Sequence, residues 1–179
     1  MLEPVEEEIL LLRCAGGDKT ALSELEQKYG QPLYDFLCKI SGGSSSRSQS
    51  LLLQAFAEGF RLYRPGKAKH SFLALVLRAL VKKAAHESAP ENQPPSKNLD
   101  LKAHWILAAL RRLSYRQRVL ILLRTQMDFL YEEIAFVLSA STPAVKSQLK
   151  DARLLFREKI DEVMKANFDE LQSNSRTNE

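Results

Sequence analysis

The stretch that decides the fold is Tyr131–Arg153, YEEIAFVLSASTPAVKSQLKDAR. Its first part places Ile134, Ala135 and Leu138 on one face of a short helix, about Tyr131–Leu138. Ser139-Ala140-Ser141 then forms a tight connection. Thr142 is expected to cap the next helix, with Pro143 at its first position, where the missing N–H breaks no helical bond. Val145, Leu149, Ala152 and Phe156 recur at i, i+4, i+7 and i+11 and define a stripe to be buried. The opposite face presents Lys146, Ser147, Lys150, Asp151 and Arg153. Ala135 is small enough for two helices to cross closely through so short a turn. An ordinary helical hairpin with a solvated charged face has the same pattern, so the wider charge distribution has to weigh between the two.

Working outward, Ser114 stands three residues before Gln117, the spacing of a capping box at the start of a helix over Tyr115–Gln126. Another helix precedes it, Leu101–Leu113, and the helix opened by Pro143 is expected to run to about Asn167. Residues 86–100 contain Pro90, Pro94 and Pro95 among polar residues, with almost nothing to bury, and read as a linker. Before it the spacing predicts helices over Val5–Cys14, Lys19–Tyr29 (capped by Asp18), Leu51–Tyr63 and Ser71–Ala85. Gly30-Gln31-Pro32 reads as a break or kink after which Leu33, Phe36, Leu37 and Ile40 resume helical spacing. Ser41–Ser50 reads as a Gly/Ser loop and Arg64-Pro65-Gly66 as a turn. No run alternates with period two, so a sheet is not expected. The expected fold is all-α, with two small helical domains joined by a flexible linker. The first spans 1–85, the linker 86–100 and the helix-turn-helix domain 101–167, followed by a polar tail over 168–179.

Composition narrows the function. Apolar residues make up 45% of the 179, enough for a core, and the longest apolar runs, Leu73–Leu77 and Val119–Leu123, fall far short of a membrane span. The first eight residues are acidic and lack a signal-peptide pattern, so a soluble, cytoplasmic protein is expected. Cys14 and Cys38 have no metal or redox spacing and read as packed thiols. Lone His70, His86 and His104 lack ligand spacing. No nucleophile–base set, paired carboxylates or phosphate loop occurs, so neither enzyme activity nor a cofactor or metal is expected. The net charge of +4 is unevenly distributed: residues 101–160 hold eleven Lys/Arg against five Asp/Glu. That basic excess favours nucleic acid as the partner of the exposed helix face. A major groove about 12 Å wide admits such a helix, with bases met by its first turns and phosphates by flanking cations.

Residues 110–160 resemble the fourth conserved region of the extracytoplasmic-function class of bacterial sigma factors. The resemblance rests on Arg118, Tyr131-Glu132-Glu133-Ile134-Ala135, Val145-Lys146-Ser147, Leu149 and Ala152-Arg153, matched in register without gaps. It implies binding to the −35 element of a promoter through Thr142, Ala144, Lys146, Ser147, Lys150, Asp151 and Arg153. Leu130 stands where the family has a Ser cap, Ser139 where a turn Gly is common, and Asp151 where a DNA-facing group such as Arg is frequent. A carboxylate there repels phosphate, although it can accept from a cytosine amine.

Leu10–Leu37 is similar to the start of the family's second region through Gly17-Asp18, Ala21, Leu25, Tyr29 and Leu33-Tyr34. Beyond it the chain departs from the pattern. Arg47, Ser50, Leu53 and Gln54 replace the acidic and amide groups that grip RNA polymerase in the family. Ser71 and Phe72 are kept in the helix that holds melted −10 bases, but Leu75, Ala79, Leu80 and Lys82 replace its Trp, Ile, Ala and Asn. Arg61, Arg64, Lys67, Lys69, Arg78 and Lys82 remain as cations for a phosphate backbone, beside Lys83, with Phe60, Tyr63 and Phe72 as surfaces on which bases could stack. Solvated charges over core aromatics are the competing reading of the same residues. The resemblance implies a transcription initiation factor whose partners are promoter DNA, core RNA polymerase and an anti-sigma factor. The alternative is a degenerate sigma-like DNA-binding regulator or anti-sigma decoy that does not itself initiate transcription.

Overall fold

The computed structural model describes residues 4–41, 47–64, 69–85 and 101–176, the side chains of Pro4, Leu101 and 168–176 excepted. Eight helices and no strand occur among the described residues: α1 Pro4–Ala15, α2 Lys19–Ser41, α3 Ser48–Leu62, α4 Phe72–Ala84, α5 Leu101–Arg111, α6 Tyr115–Thr125, α7 Tyr131–Leu138 and α8 Thr142–Arg176. The all-helical expectation holds. The proposed linker, residues 86–100, lies outside the described residues.

Local chemistry sets several of the helix starts. One oxygen of Asp18 accepts from the N–H groups of Thr20 (2.9 Å) and Ala21 (3.2 Å), capping α2. Ser71 Oγ accepts from Ala74 N–H at 3.2 Å and caps α4. At α6, Ser114 Oγ accepts from Gln117 N–H, and Gln117 Oε1 accepts from Ser114 N–H at 3.0 Å, completing the capping box.

Some boundaries differ from the sequence reading, three of them by more than two residues. α2 runs unbroken through Pro32, although an interior proline removes one helical hydrogen bond and costs about 3 kcal/mol. The continuation is held by burial, since Leu33, Phe36, Leu37 and Ile40 all have 0% exposure. Ser48–Ser50, read as loop, form the first turn of α3, with Ser48 buried. α8 extends to Arg176, well past the expected end near Asn167, so much of the expected tail is helical.

In the N-terminal half, α3 and α4 pair closely. Phe72 lies in the middle of that contact, with ring centroids 4.8 Å from Phe60, 6.1 Å from Phe56 and 6.0 Å from Tyr63. Gly59 permits the approach: a Cβ there would lie 2.5 Å from Val76 Cγ2 and 3.1 Å from the Phe72 ring. In the C-terminal half, α6 is the central element. Its Val119, Leu120 and Leu123 are at most 1% exposed, and it packs against α2, α7 and α8. The buried apolar residues of the two halves therefore form one continuous cluster.

The turn between α7 and α8 closes as a Schellman motif. Ala140 N–H donates to Ala135 O at 2.9 Å and Ser139 N–H to Phe136 O at 3.2 Å, with Ser139 left-handed at φ 51°. Left-handed backbone costs an L-residue about 1 kcal/mol that glycine does not incur. Ser139→Gly is thus expected to raise stability by about 1 kcal/mol, a rise of roughly 2–4 °C in Tm for a chain of this size. Gly59→Ala is expected to lower stability by about 1–3 kcal/mol, because Val76 and Phe72 have no room to withdraw. Thermal unfolding followed by circular dichroism checks both.

Candidate nucleic-acid interface

The helix-turn-helix forms because each of its three parts is specified locally. α7 begins at Leu130, whose side chain offers no acceptor, so only half of a capping arrangement forms. Glu133 Oε2 accepts from Leu130 N–H at 2.7 Å, and nothing on Leu130 returns the bond. The start of α8 corrects the sequence reading by one residue: Ser141 Oγ accepts from Ala144 N–H at 3.4 Å, and Thr142 is already helical. Either hydroxyl suits a cap, and the turn geometry selects Ser141.

α8 is set in rotation by its aliphatic side. Val145, Leu149 and Ala152 are at most 1% exposed, whereas Lys146, Ser147, Lys150, Asp151 and Arg153 are exposed. Thr142 and Ala144 are half-buried at the helix start. Burying Val145 and Leu149 contributes roughly 1.5–3 kcal/mol each, enough to hold the cationic face outward. Lys146 Nζ lies 5.3 Å from the centroid of the Tyr131 ring. Arg124 Cζ lies 5.7 Å from the same ring, and Arg124 also donates to Phe129 O at 3.0 Å. Tyr131 thereby draws Arg124 towards the exposed face of α8. Arg116 Nε donates to Gln148 Oε1 at 2.9 Å, placing a further guanidinium from α6 beside α8. Neither Arg116 nor Arg124 was singled out from the sequence. Their partners lie 32 and 7 residues away, and only the fold brings them close.

Arg118, a residue of the family motif, points inward. It is 6% exposed, its Nε and Nη1 have no hydrogen-bond partner, and burial lowers its pKa. It belongs to the packing of α6 and takes no part in the exposed face.

Of the second group of candidate residues, Arg61, Arg78 and Lys82 line one cleft together with Arg116 of α6, and not every member is free to meet a ligand. Phe72 has 0% exposure and is a core ring, which corrects its reading as a surface for base stacking. Phe60 and Tyr63 are half-buried against it. Arg78 is half-buried and occupied: its Nη1 donates to Phe136 O at 3.1 Å, and its Cζ stands 4.7 Å from the Phe136 ring. Arg61 pairs with Glu58 at 3.1 Å, and Arg64 donates to the carbonyls of Arg61 and Tyr63. Lys69 and Lys82 are exposed. Lys67 lies outside the described residues. On α3, at the positions where the family is acidic, Leu53 is 71% exposed and Gln54 donates to Ser50 Oγ at 3.2 Å.

Cys14 is buried and Cys38 half-buried, both as free thiols whose pKa is raised by burial. No group of His, Cys, Asp or Glu among the described residues is arranged to hold a metal ion. No described helix is long and apolar enough to cross a membrane.

Comparison with known proteins agrees with this geometry. Residues 103–155 match the family model described as sigma-70, region 4. A solved structure of CnrH in complex with the cytosolic domain of CnrY is similar over most of the chain. Its TM-score is 0.65 at 20% identity, covering 87% of this chain and 97% of CnrH. No curated relative matches. The resemblance read from residues 110–160 is thus supported: residues 103–155 match the sigma-70 region 4 model, in a chain whose fold is similar to that of CnrH.

Proposed function

We propose that the chain is a sigma-type transcription initiation factor in which α8 enters the major groove of an upstream promoter element. The observation that carries this is the rotational setting of α8, with Val145 and Leu149 buried and Lys146, Ser147 and Lys150 exposed along one face. Asp151 is exposed beside that face, half-buried Thr142 and Ala144 flank it at the helix start, and Arg153 would reach the phosphate backbone. Residues 1–85 and 101–167 act as separate units on DNA, the second reading the element and the first facing melted DNA and core RNA polymerase. The chain acts by binding, without catalysis or a cofactor, and in the cytoplasm. CnrH was solved with the cytosolic domain of another protein, CnrY, and a partner protein of the anti-sigma kind is proposed here as well.

One set of observations favours the second reading, a sigma-like regulator or decoy that does not initiate transcription. The exposed face of α3 carries Leu53 and Gln54 in place of carboxylates, so charge-assisted contacts to a polymerase clamp are missing there. Phe72 is in the core, and Arg78 is committed to Phe136. Binding of purified core polymerase, followed by run-off transcription, separates the readings. The sigma reading requires stable core binding and transcripts with a defined start. DNA binding without core binding would leave the regulator.

For α8 itself, Lys146→Ala is expected to weaken specific DNA binding by about 1–3 kcal/mol. Lys150→Ala is expected to weaken binding across sequences and to reduce the slope of log affinity against log salt by about one. Titrations at two salt concentrations measure both, and unchanged affinity in both variants would contradict groove docking.

A further inference from the structure

An open cleft of about 640 Å3 lies where α3 and α4 meet α6 and α7. That size is within the range of small-molecule sites, roughly 300–1,000 Å3. Leu62, Leu75, Ala79, Val119 and Val137 give it an aliphatic wall. Arg61, Arg78, Lys82 and Arg116 line it as well, against a single carboxylate, Glu58. Cations from three helices therefore share one concavity with an apolar surface.

These charges are oriented without being cancelled. Glu58 is taken by Arg61 at 3.1 Å. Half-buried Arg78 donates to Phe136 O at 3.1 Å and lies 4.7 Å from the Phe136 ring, so neutral partners fix its direction. Arg116 donates to the neutral amide of Gln148 at 2.9 Å. Lys82 is exposed, and among the described residues no carboxylate pairs with Arg78, Lys82 or Arg116. A guanidinium held this way keeps its charge and its remaining N–H donors for an anion, and its fork matches phosphate oxygens.

We infer that this cleft binds a small organic diphosphate, its phosphates on the cations and its apolar body against the aliphatic wall. Four cations against one carboxylate suit a ligand with several negative charges in a compact group. A docked protein helix fits poorly, since three turns about 10 Å across and 16 Å long fill roughly 1,200 Å3. Single-strand surfaces string cations along a groove with aromatic platforms. Here the cations share one cleft, and Tyr115 is the one aromatic residue lining it. The inference does not depend on the DNA reading of α8.

Calorimetry on the full chain tests it with guanosine diphosphate, geranyl diphosphate and inorganic pyrophosphate as probes. One organic probe is expected to bind at least about tenfold more tightly than pyrophosphate, equivalent to about 1.4 kcal/mol. Which of the two it is identifies the body as nucleobase or hydrocarbon. Lys82→Gln and Arg116→Gln change exposed side chains and leave the core untouched, and each is expected to weaken that probe roughly three- to tenfold. Lys19→Gln, an exposed cation at the start of α2, is expected to leave it unchanged. Amide shifts at Leu75, Ala79 and Val137 should move as the organic probe is added. Equal affinity for all three probes would overturn the role of the wall and leave an adventitious ion only. Equal weakening by Lys19→Gln would leave non-specific attraction to a basic chain. Absence of binding at millimolar concentration would overturn the site outright. Tighter binding of an oligodeoxythymidine of about twelve nucleotides, weakened by the same two cleft variants, would assign the cleft to a strand instead.

Discussion

The rotational setting of α8 is the constraint on which the rest of the C-terminal half depends. Val145, Leu149 and Ala152 have a single apolar surface to meet, made by α6 and α7, and their burial leaves no freedom for the helix to turn about its axis. Because an α-helix repeats every 3.6 residues, fixing those positions also fixes Lys146, Ser147 and Lys150 on the solvent side. The short turn through Ser139 adds the second constraint, the crossing of α7 and α8. Its left-handed residue and two backbone bonds hold that geometry without help from distant parts of the chain.

Features of this local kind were legible in the sequence. The caps at Asp18, Ser71 and Ser114 needed only a polar residue, its spacing and the pattern that followed. The buried stripe of α8 followed from periodicity alone. The errors came where distant packing overrode a local signal. Pro32 carries a strong breaking signal, yet four core positions at helical spacing after it, Leu33, Phe36, Leu37 and Ile40, keep α2 going. Thr142 and Ser141 are chemically equivalent caps, and the turn decides between them. The end of α8 lies beyond the expected one near Asn167, since the polar residues that follow continue as helix to Arg176.

The candidate site was half legible for the same reason. The exposed face of α8 is one helix read along its own sequence. Phe72 sits next to a helix cap and near several cations, which suits a stacking platform as well as a core ring. Gly59 held the clue, since a glycine inside a helical pattern marks a close approach by another element. That element proved to be α4, led by Phe72. Arg116, Arg124 and Arg78 gained their surroundings through tertiary contacts that no spacing rule encodes. The contact of Arg78 with Phe136 also joins what reads as two independent units, above an apolar cluster common to both.

Whether this chain meets DNA through the outward side of α8 is read by mapping amide and lysine-side-chain chemical shifts of the isotope-labelled protein as a duplex is added. The perturbed signals are expected to cluster on Thr142–Arg153, with Arg116 and Arg124 at the margin and the core positions Val145 and Leu149 shifting least. Perturbations centred on α1 or α3, or none along α8 at saturating duplex, would contradict it.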